Sequence, residues 1–217
     1  MTYDAEGQTL RSGLAQLQLG LTEKQIRQLQ DYLTLIAKWT RVYNLTAVRD
    51  PAEMMTHHLL DSLAIIRPLQ SQMQRGRLLD VGSGAGLPGV VIAICCPDIS
   101  VSCVDTVAKK ATFIKQAALE LKLPNLSGVH ARVENIATPF DLVCSRAFAS
   151  LIDFTQWSAN ALAPSAVWMA MKGKHPADEL AALPPTVEVF HVEQLHVPGL
   201  AADRCVVWMR KAEQLTR

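Results

Sequence analysis

Residues 77–96, RLLDVGSGAGLPGVVIAICC, constrain the fold more than any other stretch of this 217-residue chain. A short apolar run, RLLDV, stops at a loop with glycines at 82, 84, 86 and 89, and the loop opens into VVIAICC, closed by Pro97. Apolar strand, glycine turn and apolar helix in direct succession make the first half of a βαβ unit. Such units place their strands in a parallel sheet covered on both faces. The texture repeats downstream. SVSCVD (100–105), SGVHA (127–131), FDLVCS (140–145) and AVWMAMK (166–172) read as strands. AKKATFIKQAALELK (108–122) and LIDFTQWSANAL (151–162) read as helices.

The alternation fails at the end. TVEVFHVEQLHV (186–197) and RCVVWMR (204–210) are both strand-like, and only a short segment containing PGLAAD joins them. A parallel crossover needs about a dozen residues or more, so these two strands must pair antiparallel. The expected architecture is α/β, a mostly parallel seven-stranded sheet with an antiparallel C-terminal hairpin over residues 76–217. Residues 1–75 are expected to form an N-terminal helical extension packed on it, the two parts making one compact unit. Residues 1 to about 20 look loosely packed. Thr22-Glu23-Lys24-Gln25 reads as a capping box, and Ile26, Leu29, Leu33 and Ile36 follow at helical spacing, so a helix is expected over 22–39. A second helical stretch runs from Pro51 to Pro68.

Composition excludes some classes. With 49% hydrophobic residues the chain can fill a core, and its net charge of +1 asks for no partner in bulk, so nucleic-acid binding would need a local basic patch. The five cysteines have no C-x-x-C spacing and lie in apolar runs, which reads as buried free thiols rather than a zinc site. No metal-ligand motif is present. The polar N-terminus lacks a leader-like apolar segment, and no apolar run approaches ~18 residues, so a cytoplasmic, non-membrane and monomeric protein is expected.

The glycine loop admits two cofactors. From Gly82 the segment GSGAGLPG contains G-x-G-x-x-G at Gly84, the nicotinamide and flavin pattern. From Asp80 it is D-x-G-x-G-x-G, a loop that binds S-adenosylmethionine in many methyltransferases. The terminal hairpin and the absence of a second, substrate domain favour the second register, Gly82, Gly84 and Gly86. Ligands bind beyond the carboxyl ends of the strands in such a sheet, so residues just after each strand are the candidates. Asp105, about twenty residues past the loop, suits the ribose hydroxyls of either cofactor. Glu134 or its neighbouring backbone is placed to meet an adenine. Arg146 leaves the fourth strand toward the cleft. Lys172, Lys174 and His175 leave the fifth, and with Lys109, Lys110 and Lys115 they form a candidate basic rim. His58 and Asp61, three residues apart on a helix, can touch.

Read together, YNLTAVRDPAEMMTHHLLDSLAI, LLDVGSGAGLPG, VDTVAKKATFIKQA, RVENI, FDLVCSRAFASL and MKGKHPADEL resemble one family, RsmG or GidB, the 16S ribosomal RNA guanine-N7 methyltransferases. The likeness runs from about residue 22 to the C-terminus. It implies a class I S-adenosylmethionine-dependent methyltransferase fold, S-adenosyl-L-methionine as cofactor, and 16S ribosomal RNA, in the small subunit or an assembly intermediate, as partner. By motif it implies cofactor contacts from Gly82, Leu87, Val133, Glu134 and Arg146, with Asp105 as the acid after the second strand and Arg146 as the catalytic candidate. Thr40, His57, Ser83 and Ala85 depart from the family's usual residues. Guanine N7 has a free lone pair and no proton, so it needs no general base. Arg146 should then touch O6, a phosphate or the cofactor, because a bidentate grip on O6 and N7 would block the nucleophile. Lys172 and Lys174 are the RNA-binding candidates, and Asn44, His58 and Asp61 are expected to be structural or to support the residues that touch the ligands.

Overall fold

The computed structural model describes residues 2–213. Its centre is a seven-stranded sheet of order β3-β2-β1-β4-β5-β7-β6. The strands are β1 (Gly76–Val81), β2 (Ile99–Asp105), β3 (Leu126–His130), β4 (Phe140–Arg146), β5 (Leu162–Lys172), β6 (Val187–Gln194) and β7 (Cys205–Lys211). The first five pair parallel. β7 pairs antiparallel with both β5 and β6. The chain runs outward from β1 to β3 and returns to place β4 beside β1. The order therefore reverses at β1 and β4, and a crevice opens beyond their carboxyl ends.

Strand residues alternate between two cores, as the two-residue period requires. Leu78, Val101, Cys103, Leu142, Cys144, Met169 and Trp208 face one side, with the N-terminal helices and two helices of the α/β domain, α6 (Gly89–Cys95) and α7 (Ala108–Glu120). Leu79, Val81, Val104, Val143, Trp168, Val207 and Met209 face the other, under α8 (Leu151–Trp157). All five cysteines are buried free thiols. Among the described residues no helix is long and apolar enough to cross a membrane.

The N-terminal segment differs from expectation at three points. Residues 2–16 are a helix, α1 (Thr2–Gln16), and not a loosely packed lead-in. Leu10 and Leu14, one turn apart, are buried, and Gly13 lies so close to Leu60 that a Cβ would sit 2.4 Å from its Cδ2. The polar composition hid a narrow apolar stripe. α2 (Glu23–Tyr43) begins at the expected capping box, with Thr22 Oγ1 accepting from Gln25 N and Gln25 Oε1 accepting from Thr22 N at 2.9 Å. It runs four residues further than the apolar spacing indicated, to a left-handed Asn44 with φ 50°. Third, the expected single helix from Pro51 to Pro68 is broken. α3 (Pro51–Met54), capped by Asp50, passes into a π turn (Met55–Leu60), then α4 (Asp61–Leu63) and α5 (Ile66–Gln72). Pro68 does not stop the helix. It sits in the first turn of α5, where an N–H has no helical partner to lose. Widened π turns gather at functional sites, and the His57 carbonyl of this one accepts from Arg146 at the end of β4.

Further on, the helix expected over 151–162 stops at Trp157, because Ser158 is buried with its Oγ donating to Phe154 O and accepting from Trp168 Nε1. β5 consequently starts at Leu162, earlier than expected. A short helix, α9 (Ala177–Ala181), follows β5.

Candidate active site

The three loop glycines have separate reasons to be glycine. All have positive φ: 64° at Gly82, 58° at Gly84 and 87° at Gly86. A Cβ on Gly82 would lie 2.2 Å from the Phe148 ring, so the ring can close over the loop only because that Cβ is missing. At Gly84 a Cβ would meet nothing nearer than Gly82 O at 4.0 Å, so the backbone there is open to a ligand. Gly86 faces inward instead, where a Cβ would strike Val90 and Ile114. The loop is propped from below by Tyr32 of α2, whose hydroxyl donates to Ala85 O at 2.6 Å. The Leu87 side chain is buried in the core and its amide donates to Ser83 O, so what Leu87 can offer a ligand is its carbonyl.

Asp80 distinguishes the two cofactors physically. In a dinucleotide site the amides after the glycine loop receive a pyrophosphate. Here the amide of Gly89, at the start of α6, donates 2.8 Å to Oδ2 of the fully buried Asp80. That amide is therefore already engaged by a carboxyl group of the protein and is not free for a phosphate. Burial pushes the Asp80 carboxyl up from 3.8 to about 7, against the Gly89 amide, which favours the charged form. The native chain thus holds a proton that the unfolded chain has released between those pH values. This contribution to stability is complete below pH 3.8 and is lost as pH rises through about 7. Asp80→Asn, a neutral isostere, is expected to match the wild type near pH 4 and to exceed it by roughly 2–4 kcal/mol at pH 8. Urea unfolding at the two pH values measures this.

A cleft of about 400 Å³ lies at the carboxyl ends of β1, β2 and β4, lined by Val81, Val104, Asp105, Val133, Glu134 and Phe148 among others. Asp105 is buried at its base. Its Oδ2 accepts from Gly84 N at 3.0 Å and its Oδ1 from Val107 N at 2.9 Å, with Lys110 Nζ 3.7 Å from Oδ2. Each oxygen keeps acceptor capacity for a hydroxyl. Val133 is buried and Glu134 exposed on a short turn (Val133–Asn135), opposite Phe148, which meets Trp157 edge-on at 5.8 Å. Apolar walls for a base, a carboxylate for a ribose and an uncovered Gly84 fit a nucleoside cofactor. The structure brings Gly82, Asp105, Val133 and Glu134 to this cleft.

Arg146 sits apart from the cleft's lining. Its Nη1 donates to His57 O and to Asp61 Oδ2, both at 2.8 Å. Asp61 is 3% exposed, and its other oxygen accepts from Arg204 Nε at 2.7 Å. Two arginines thus share one buried carboxylate at the sheet edge. Arg204 is not a residue that follows a strand; it precedes one. β7 runs antiparallel, so the residue before it reaches the same edge. The antiparallel direction of the last strand, legible in the sequence, is the signal that marks it.

The His58 imidazole does not hydrogen-bond the Asp61 carboxylate, although the Asp61 amide donates to His58 O. Its Nε2 pairs with Thr46 Oγ1 at 2.8 Å, and burial, followed by the Arg146 charge, lowers its pKa to about 4. Asn44 caps α2 and accepts from Arg49. Lys172 is turned back into the protein. Its Nζ donates to Ala149 O at 3.0 Å and to both oxygens of Glu179, one of which also accepts from Leu151 N. This charge is paired within the molecule, where it ties down the loop carrying Phe148, and Lys174 remains as the exposed cation.

Comparison with known proteins places this geometry in a family. The family model described as "rRNA small subunit methyltransferase G", GidB, matches residues 25–207. A ribosomal RNA small subunit methyltransferase G from a Polaromonas species is 74% identical over 209 residues, covering 94% of this chain and 92% of that protein. The protein of the same description from Polaromonas naphthalenivorans is 70% identical over 208 residues, covering 93% and 94%. Among solved structures, the N-methyltransferase NodS from Bradyrhizobium japonicum in complex with S-adenosyl-L-homocysteine is similar with a TM-score of 0.56 at 14% identity, covering 82% of this chain and all of that one. TrmN from Thermus thermophilus has a TM-score of 0.56 at 20% identity, over 70% of this chain and 48% of that one. At these identities the likeness is one of fold.

Proposed function

The chain belongs to the GidB family, rRNA small subunit methyltransferase G, and is an S-adenosylmethionine-dependent methyltransferase; we propose that it methylates N7 of one guanine in 16S ribosomal RNA. The observation that carries the cofactor side is the pairing of Asp80 with Gly89 N beneath an open Gly84, which suits a nucleoside that brings no pyrophosphate. S-adenosylmethionine supplies an electrophilic methyl group on a sulfonium. Asp105 would hold the ribose, Val133 and Phe148 would flank the adenine with Glu134 at its edge, and Gly82, Gly84 and the Leu87 carbonyl would border the methionine part. Gly86 serves the loop by packing on the core.

Guanine N7 attacks with its own lone pair, so the protein's task is to position the base and stabilise charge. The imidazole beside Arg146 supports this reading: His58 is buried, held by Thr46 and low in pKa, and is not poised as a base. Arg146 and Arg204, fixed by Asp61, present two guanidinium groups at the strand edge where guanine O6 or a phosphate would arrive. Lys174 extends that edge. The base enters as an unpaired or flipped nucleotide. Arg146→Ala is expected to lower the methylation rate about a hundredfold with the cofactor affinity nearly unchanged. A parallel loss of cofactor affinity, measured by calorimetry, would move Arg146 to the cofactor instead.

Transfer of labelled methyl from S-adenosylmethionine to isolated 16S RNA or 30S subunits tests the proposal. Label is expected in the RNA, and S-adenosylmethionine but not NAD is expected to raise the melting temperature. A shift with NAD alone, or no label in RNA, would overturn the reading. Comparing free RNA, assembly intermediates and 30S subunits identifies the substrate form.

A further inference from the structure

We propose that the exposed C-terminal end of α2 is a stacking platform for the RNA strand, with Tyr43 stacking on a nucleotide that flanks the methylated guanine and Lys109 and Arg49 holding its phosphates. This rests on the RNA-methyltransferase reading above and adds a contact surface to it. Val42 is 69% exposed and Tyr43 45%, two consecutive apolar side chains in solvent. A lone exposed apolar residue needs no explanation. These two stand at a fixed helix end beside the cofactor cleft, among unpaired cations.

The platform is rigid for local reasons. Tyr43 is the last residue of α2, and Asn44 turns the chain with φ 50° while its amide donates to Thr40 O and its side chain accepts from Arg49. The ring rests on Trp39 one turn earlier, at 5.1 Å between centroids. Trp39 packs edge-on against Phe113 at 5.3 Å, and Phe113 lies 6.5 Å from Tyr32, whose hydroxyl holds the glycine loop. A continuous series of rings therefore runs from the surface to the loop that borders the cofactor.

The platform also adjoins the cleft. Lys109 Nζ lies over the Tyr43 ring at 5.5 Å, in the first turn of α7. The neighbouring Val107, 44% exposed, lines the cleft, and so does Lys110, which pairs with Asp105. Among the described residues no carboxylate lies within ion-pair distance of Arg49 or Lys109, whereas Lys110, Arg146, Lys172 and Arg204 each have one. Unpaired cations around a supported aromatic ring complement a single strand with phosphates outside and bases splayed to stack. The near-neutral chain concentrates this complement locally.

Steady-state methylation of 16S RNA tests the platform. Tyr43→Ala is expected to raise KM for RNA roughly tenfold, with kcat and cofactor affinity changed less than about twofold, and Tyr43→Phe to restore the KM. Lys109→Ala is expected to flatten the salt dependence of RNA binding by about one phosphate contact. Ultraviolet cross-linking of the unmodified protein to RNA, with the cross-linked peptide sequenced, is expected to give a peptide containing Tyr43. This arm does not depend on whether a variant folds. If the wild type methylates RNA while Tyr43→Ala keeps its KM and no cross-link falls on 42–49, the platform is wrong and the function stands. If the wild type methylates no RNA, both fall.

Discussion

Asp61→Ala is expected to lower stability by about 3 kcal/mol and to reduce methyl transfer at least a hundredfold. Asp61 is buried and both of its oxygens are committed, one to Arg146 and one to Arg204. Removing it leaves two partly buried guanidinium groups facing each other with no anion between them, and the cost of stranding charge exceeds what the pairs themselves contributed. The same carboxylate joins the π turn to β4 and β7, so its loss also frees the N-terminal helices at the crevice. Asp61→Asn keeps one acceptor and is expected to fall between. Urea midpoints and single-turnover methylation on the same samples separate the two effects. An Asp61→Ala protein with wild-type stability and rate would remove the arginine pair from the account.

Gly82→Val is expected to weaken S-adenosylmethionine binding by at least about a hundredfold while the chain still folds. A β-branched residue at φ 64° costs about 1–3 kcal/mol by itself. Its Cβ must also displace the Phe148 ring, which a Cβ would approach to 2.2 Å. Phe148 is a cleft wall and cannot leave without opening the cleft. Gly84→Ala is the informative contrast. No protein atom crowds that position, so beyond the cost of φ its effect should appear in cofactor affinity and not in packing. Isothermal titration with S-adenosylmethionine and circular dichroism on both variants check the pair. Unchanged cofactor affinity in Gly82→Val would mean the cleft is elsewhere.

The sheet was legible because strands are short, apolar and punctuated by glycine, and because a short connection dictates an antiparallel pair. The same logic pointed to Gly82, which follows β1 directly, to Asp105, which ends β2, and to Glu134, one short turn beyond β3, and all three line one cleft. What escaped has a physical pattern. α1 buries only a narrow stripe, and the rest of its residues are as polar as a loop. The π turn leaves no mark in a composition that reads as continuous helix. Arg204 precedes a reversed strand, and a rule about residues after strands passes over it. Lys172 and Glu179 lie seven residues apart, and only the return of α9 brings them together. Side-chain partners of this kind depend on tertiary placement, which residue type alone does not carry. The resemblance named Leu87 and Arg146 at the cofactor. Leu87 has only its carbonyl to give, and Arg146 is held by Asp61 outside the cleft lining.

Delivery of a methyl group from this cleft to N7 of a guanine in small-subunit RNA can be read directly from the product. The most direct test is to incubate the protein with S-adenosylmethionine and 30S subunits or 16S RNA, digest the RNA, and locate the modified nucleotide by mass spectrometry. A single 7-methylguanosine at one position is expected. A methyl group on an exocyclic amine, on a ribose or on a base other than guanine would contradict it.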